Sequence, residues 1–169
     1  EITHLAGVGE VCQLAKKETG EAMIEADLIA MIAGAEGISD LIGDRIFPHR
    51  VAQTAIRPLI VFECKGRKQE YTQNGESTYQ EAEISLEIQA DSYLTAKQVA
   101  AAVKLFLSGY SGTQGESQIH FIEYTDESEN FDTDPSGADT GYIKVQQDYR
   151  VRLDRKSTRL NSSHVSESR

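Results

Sequence analysis

The chain has 169 residues, of which 39% are hydrophobic and 26% charged, a composition typical of one globular domain rather than of a disordered chain. Its 17 basic and 27 acidic residues give a formal net charge of −10, which repels phosphate backbones and disfavours nucleic-acid binding as the main activity. Two cysteines, Cys12 and Cys64, are too few for a disulfide scaffold and fit a reducing compartment. No apolar run approaches the roughly 18 residues of a membrane helix, so no membrane partner is expected.

The two ends of the sequence differ in pattern from its middle. Helical periodicity becomes clear only after Met23, so residues 1–22 are either upstream sequence or a native extension, and both interpretations stay open. The run that starts at Lys156 is rich in serine, basic and aperiodic, and it resembles translated adapter or vector sequence. We therefore expect a single domain over residues 23–154, with residues 155–169 outside it.

Three helical segments are predicted in the middle of the chain. An apolar stripe begins at Ile24 and weakens at Gly34, and a second short helix over residues 38–42 ends at Gly43. The clearest stripe is that of the third helix, which Gly109 ends. Its core positions are Ala96, Val99, Ala100, Val103, Phe106 and Leu107.

Strand patterns alternate with these helices. A brief extended segment ends at Pro48, residues 59–65 are rich in strand formers, and Asn74-Gly75 is a hairpin signal. Apolar and polar residues alternate over residues 81–91 and again over residues 143–153, as expected for strands with one buried face. The order of helix, strands, helix and strands predicts an α+β fold. We expect a mainly antiparallel sheet of four to five strands with helices packed on one face.

The two alternating strands carry opposite charges on their polar faces. The first is acidic and the second is basic, so they attract each other if they are neighbours in the sheet. The same complementarity would select a partner across a subunit boundary, and the sequence leaves both alternatives open. The candidate interface residues are Glu81, Glu83, Glu87, Lys144, Arg150 and Arg152.

A further strand that begins at Ile119 runs into a polar stretch over residues 125–140, which we interpret as an acidic loop. Phe131 is unusual in a permanently free loop and favours ordering on contact with a partner. The acidic residues of this stretch are Asp126, Glu127, Glu129, Asp132 and Asp134. No phosphate-binding glycine motif, metal-ligand spacing or nucleophile with its base is recognisable, so no catalytic, cofactor-binding or metal-binding residue is predicted.

The elements in this order resemble a known family. The segments that carry the resemblance are GDRIFP at residues 43–48, PLIVF at 58–62, ISLEIQADSY at 84–93, LSGYSG at 107–112 and DYRVRL at 148–153. Together they are similar to the small tail-completion, or tail-terminator, proteins of long-tailed bacteriophages and prophages. The resemblance covers residues 23–153.

The resemblance implies a structural protein of the virion tail, assembled in the host cytoplasm, and not an enzyme. Such subunits form a six-membered ring that caps the tail tube and joins it to the head connector. DNA passes through the ring without specific binding, so we expect the acidic stretch to face that channel or to become ordered on a partner. The alternatives are another head–tail adaptor or minor tail protein, or a small cytoplasmic enzyme or ligand-binding domain.

Overall fold

The helices in the described residues occur in two groups, one before the strands and one between them. The computed structural model describes residues 24–52, 55–73, 75–115, 117–133 and 141–155. The proposed extension over residues 1–22 and, except for Arg155, the one over residues 155–169 therefore lie outside the described residues. Helix α1 spans Ile24–Ala33, α2 spans Glu36–Ile42 and α3 spans Tyr93–Leu107. Gly43 follows α2 with a positive φ of 62°, a conformation that glycine adopts without steric cost.

Six strands in the described residues form one sheet with the order β1-β2-β3-β6-β5-β4. They are β1 (Ile46–Pro48), β2 (Leu59–Thr72), β3 (Gly75–Ala90), β4 (Gly112–Gln114), β5 (Ser117–Thr133) and β6 (Gly141–Arg155). The β1–β2 pair is parallel and the four other pairs are antiparallel. The last strand reaches Arg155, one residue past the domain boundary expected from the sequence.

The expected sheet of four to five mainly antiparallel strands is therefore corrected to a mixed sheet of six. β4, which the sequence did not indicate, has three residues, too few to show a period of two. β1 corresponds to the extended segment predicted to end at Pro48. β1 is also the strand that makes the sheet mixed, because Ile46–Pro48 pairs in parallel with residues 60–62. The α+β class itself agrees with the structure.

One face of the sheet, which we call the helix face, carries the core. The alternating apolar residues of β3 are all buried there, and Val99 and Val103 of α3 belong to the same buried cluster. The opposite side, which we call the open face, carries the polar residues of the same strands. Partners across the strands share a face, so Glu81 of β3 and Arg152 of β6 lie together on the open face.

The predicted acidic loop is a strand over most of its length. Residues 126–133 pair in register with residues 148–141 of β6, and the backbone hydrogen bonds of this hairpin override the weak strand propensity of the polar residues. Bulges between Ile119 and Phe121 and between Tyr124 and Asp126 change the phase of the alternation. Ile122 is consequently buried, whereas Phe121 is 43% exposed.

A buried polar contact fixes the turn between β4 and β5 against α1. Asp27 is 3% exposed, and Ser117 Oγ donates a hydrogen bond to its Oδ2 over 3.2 Å. Gly115, in the turn, has a φ of 59°, and a Cβ at this position would lie 2.4 Å from Asp27 Oδ1. The turn therefore requires glycine both for its backbone conformation and for the close approach of the carboxylate.

Candidate interaction surfaces

The charged residues predicted on β3 and β6 meet within one chain. Glu81 is the register partner of Arg152, and Glu83 is that of Arg150. Arg150 Nε lies 3.5 Å from Glu81 Oε1, and Arg152 Nε lies 3.6 Å from Glu81 Oε2. The structure thus supports the first of the two alternatives left open by the sequence, pairing between neighbouring strands. Contact of the same residues with another subunit stays a prediction.

Glu123 of β5 extends this arrangement and was not among the predicted residues. Its Oε2 lies 3.6 Å from Arg150 Nη1 and 3.5 Å from Arg152 Nη2. The two arginines of β6 therefore lie between a glutamate of β3 and a glutamate of β5. Distances of this size are those of ion pairs with poor hydrogen-bond geometry, and the attraction is mainly coulombic. Because all four side chains are partly exposed, the network contributes little to stability.

Lys144 of β6 forms a second group of ion pairs on the open face. Its Nζ lies 3.3 Å from Glu87 Oε2 and 2.9 Å from Asp132 Oδ2. Burial alone would lower the pKa of Lys144, but the hydrogen bond to Asp132 and the charge of Glu87 outweigh this effect and raise the pKa above its ordinary value. Lys144 stays charged and holds β3, β6 and β5 together at this end of the sheet.

Asp148 lies at the centre of the open face, and the sequence pattern did not single it out. Its carboxylate accepts hydrogen bonds from Lys65 Nζ over 2.7 Å and from Ser85 Oγ over 2.7 Å. Burial acts to raise the pKa of Asp148, but the bonds from Lys65, Ser85 and Gln146 lower it overall. The sequence gives no signal for the pair of Lys65 and Asp148, because the two residues are 83 positions apart and neither strand pattern singles them out.

The acidic stretch is divided between the two faces of the sheet. Asp126 and Asp132 share the open face with residues 148 and 142 of β6, whereas Glu127 and Glu129 share the helix face with residues 147 and 145. The predicted set therefore does not form one surface. Asp134 lies outside the described residues.

The two glutamates on the helix face bind α3. Lys97 donates hydrogen bonds to Glu129 and, over 2.7 Å, to Glu127 Oε1. Gln147 Nε2 and Tyr124 Oη each donate to Glu127 Oε2 over 2.9 Å. The bond from Lys97 is the main cause that lowers the pKa of Glu127 from 4.5 to about 2. These contacts fasten α3 to the β5–β6 hairpin.

Tyr124 and Tyr149 complete this polar contact below the helix. Burial first, and then the hydrogen bond to Glu127, raise the pKa of Tyr124 to about 12. Burial also raises the pKa of Tyr149, whose hydroxyl donates to Gln147 Oε1 over 2.9 Å. Both tyrosines therefore remain protonated hydrogen-bond donors at neutral pH. Their role is structural, since each donates to a group that is already bonded to the helix or sheet.

A cleft of about 280 Å³ lies between the open face and the segment that links β1 to β2. Glu87 reaches it from the sheet, and Arg57 reaches it from the segment. Arg57 stacks over the ring of Tyr142 at 4.1 Å and pairs with Asp91 at 3.3 Å, so its contacts hold the segment against the sheet. The cleft is partly open to solvent and mainly polar, unlike the enclosed apolar pockets that bind small molecules.

In the described part of the chain, no group of three or more His, Cys, Asp or Glu side chains is arranged to hold a metal ion. No helix in the same residues has the length and apolarity needed to cross a membrane.

The comparisons with known proteins agree with this architecture. No curated protein matches the chain. One chain of the solved structure "Virion of native gene transfer agent (GTA) particle" has a similar fold, with a TM-score of 0.63 and 12% identity over 78% of this chain and 94% of that chain. The family model described as "Tail completion protein gp17" matches residues 26–154. Because this match spans most of the sequence, the chain belongs to that tail completion family and is a structural protein of the phage virion tail.

Proposed function

We propose that the chain is a tail-terminator subunit whose working domain is residues 23–154. Copies of it form a ring, predicted to be a hexamer, that caps the tail tube and offers a surface to the head connector. The match of the tail completion family to residues 26–154 carries this proposal. A role without catalysis is supported by the charged side chains of the open face, which are engaged in ion pairs with one another.

The open face is suited to line the channel through which DNA passes. Asp126 and Asp132 lie on this face, and acidic side chains outnumber basic ones there. The acids are Glu63, Glu81, Glu83, Glu87, Glu123, Asp126, Asp132, Asp148 and Asp154, and the bases are Lys65, Lys68, Lys144, Arg150 and Arg152. A surface with this excess repels phosphates and keeps DNA from adhering to the ring.

Complementation tests the terminator function. A phage that lacks its terminator is expected to produce tails of uncontrolled length that do not join heads, and the full chain is expected to restore joined particles. Electron microscopy of tail length and infectious titre are the measurements. Normal tails without the chain, or chain found only at the baseplate end, would contradict the proposal and favour an adaptor or minor tail protein.

DNA ejection tests the channel separately. Neutralising Asp126→Asn and Asp132→Asn is expected to slow ejection from particles that still join heads to tails, because the channel loses negative charge. Ser128→Ala, between them on the same strand and face, is the matched control with unchanged charge. Ejection at the normal rate in the double variant would contradict the channel assignment but leave the terminator function intact.

A further inference from the structure

The described residues cover both long edges of the sheet only in part. On one side, β4 pairs with residues 117–119 of β5. Beyond them, Ile122 forms backbone hydrogen bonds with Gly109 and Tyr110, and it is the last described residue of this edge that bonds to a segment other than β6. Among the described residues, no strand covers residues 124–133. On the other side, β1 and His49 cover β2 only as far as Phe62. Residues 64–72 are likewise left uncovered by described residues.

The two uncovered stretches begin at the same level of the sheet. Cys64 pairs with Ile84, Ile84 with Tyr149 and Tyr149 with Tyr124, so these four residues form one row across four strands. From this row the stretch on β2 runs towards one end of the sheet and the stretch on β5 runs towards the other. They have similar lengths, and β2 and β5 run in opposite directions.

The stretches also have opposite charge. Residues 64–72 contain three basic residues and one acidic residue, whereas residues 124–133 contain four acidic residues and no basic one. Lys68 is 73% exposed, and Asp126 and Asn130 are exposed on the same face of the sheet. An uncovered strand is a template for adding another strand, and charge complementarity selects which strand is added.

We propose that residues 124–133 of one subunit pair antiparallel with residues 64–72 of a second copy of this chain, so that the sheet continues from subunit to subunit. This inference rests on the proposed ring. Two different surfaces of one subunit form the contact, which is the heterologous arrangement that closed rings require. The stretches lie at opposite ends of the sheet, so neighbouring strands are staggered, as they are in closed barrels.

The alignment of backbone groups supports pairing through the main chain. Ile122 N–H donates to Tyr110 and its carbonyl accepts from Gly109, so its backbone groups point away from β6. Along a strand, every second residue points its backbone N–H and C=O groups away from the neighbouring strand. The bulge after Tyr124 adds one residue, so beyond it the outward-pointing residues are Glu127, Glu129 and Phe131. Their N–H groups point outward, and no described residue of the chain accepts a hydrogen bond from them.

Charge exchange between the two stretches tests the pairing. Two variants of the full chain are compared, D126K/N130K and Lys68→Glu. In a ring of either variant, like charges face each other at every contact between subunits. Each variant is expected to assemble at least about tenfold more weakly than the wild type. Light scattering and electron microscopy report the size of the assemblies. A mixture of the two variants is expected to form alternating rings with an even number of subunits, because each contact then joins opposite charges. Asp40→Lys, exposed on α2 and away from both stretches, is the control.

The outcomes separate the alternatives. Rings that persist in both variants, or an equal loss in Asp40→Lys, would overturn the edge pairing but not the terminator function. Loss in only one variant, without rescue by mixing, would indicate a symmetric contact and also overturn it. If the wild-type chain is monomeric alone, the same variants are compared for capping of tail tubes. A wild-type chain that neither forms rings nor caps tubes would overturn the proposed function itself.

A matched pair of substitutions separates backbone pairing from side-chain contact. Phe131 is 62% exposed, and Phe131→Pro removes its outward N–H, whereas Phe131→Ala removes only the side chain. Assembly is expected to be at least about tenfold weaker in the proline variant than in the alanine variant. Equal assembly would overturn strand pairing. Slow amide exchange at the outward N–H groups of Glu127, Glu129 and Phe131 in the isolated monomer would also overturn it, because the edge would then be covered by another part of the same chain.

Discussion

The two faces of the sheet use the same strands for different purposes. On the helix face, alternate residues of β3 such as Leu86 are fully buried beneath α3. On the open face, the intervening residues such as Glu87 form ion pairs that remain partly exposed to water. Apolar burial contributes far more free energy per side chain than exposed ion pairs do. The helix face therefore stabilises the subunit, whereas the open face can change with modest effect on folding and is available for function.

The strongest test of this difference compares adjacent residues on opposite faces. Leu86→Ala is expected to lower the free energy of unfolding by about 2–5 kcal/mol, because it removes buried methyl groups and leaves a cavity. Glu87→Ala, the next residue on the open face, is expected to cost less than about 1 kcal/mol. Denaturant unfolding followed by circular dichroism measures both. Similar losses in the two variants would contradict the division of roles between the faces.

A smaller loss of stability is expected when the close approach of Asp27 to the β4–β5 turn is disturbed. Gly115→Ala is expected to lower the free energy of unfolding by about 1–3 kcal/mol, because it forces a positive φ on alanine and directs a Cβ at Asp27. Gly37 lies inside α2 with no atom near its missing Cβ. Gly37→Ala is therefore the control and is expected to stabilise the protein by about 0.5–1 kcal/mol. A neutral Gly115→Ala would show that the turn relaxes freely.

The parts of the fold that were predictable are those with strong periodicity. The alternation in β3 and β6 and the helical stripe of α3 each place apolar side chains at a fixed period, and the structure has these elements. The complementary charges also indicated that Glu81 and Arg152 could be neighbours. The pattern within each of these segments is local in sequence, so it can be recognised before the fold is known.

The parts that were missed depend on contacts between distant segments. Residues 125–133 are polar and lack a useful period, and they form a strand because β6 supplies backbone partners along the whole hairpin. The bulge at Tyr124 then divides the acidic residues between two faces. The contact of Lys97 with Glu127 joins a helix to a strand, and nothing in the spacing of the two residues indicates it.

The contact of Glu127 with Lys97 on the helix face makes the stability of the protein depend on pH. The pKa of Glu127 is lowered from 4.5 to about 2, so its charged form stabilises the fold above this range and the contribution is lost as the pH falls through it. Glu127→Gln is expected to cost about 1–2 kcal/mol at neutral pH, and the difference from wild type should shrink between about pH 4 and pH 2. Unfolding free energies measured at several pH values test this. A difference that does not depend on pH would contradict the ionic role of Glu127.

The smallest effect is expected on the open face, and its salt dependence distinguishes it from the others. Glu81 contacts Lys68, Arg150 and Arg152 at distances between 3.5 and 4.0 Å. Glu81→Gln is expected to cost less than about 1 kcal/mol, because three partly exposed cations lose one shared anion. The cost should disappear in about 1 M salt, where the screening length falls to about 3 Å. The cost of Leu86→Ala should survive the same salt, since apolar burial is not screened. A Glu81→Gln effect that persists in salt would mean that this glutamate acts through packing, and the open face would then contribute to stability as the helix face does.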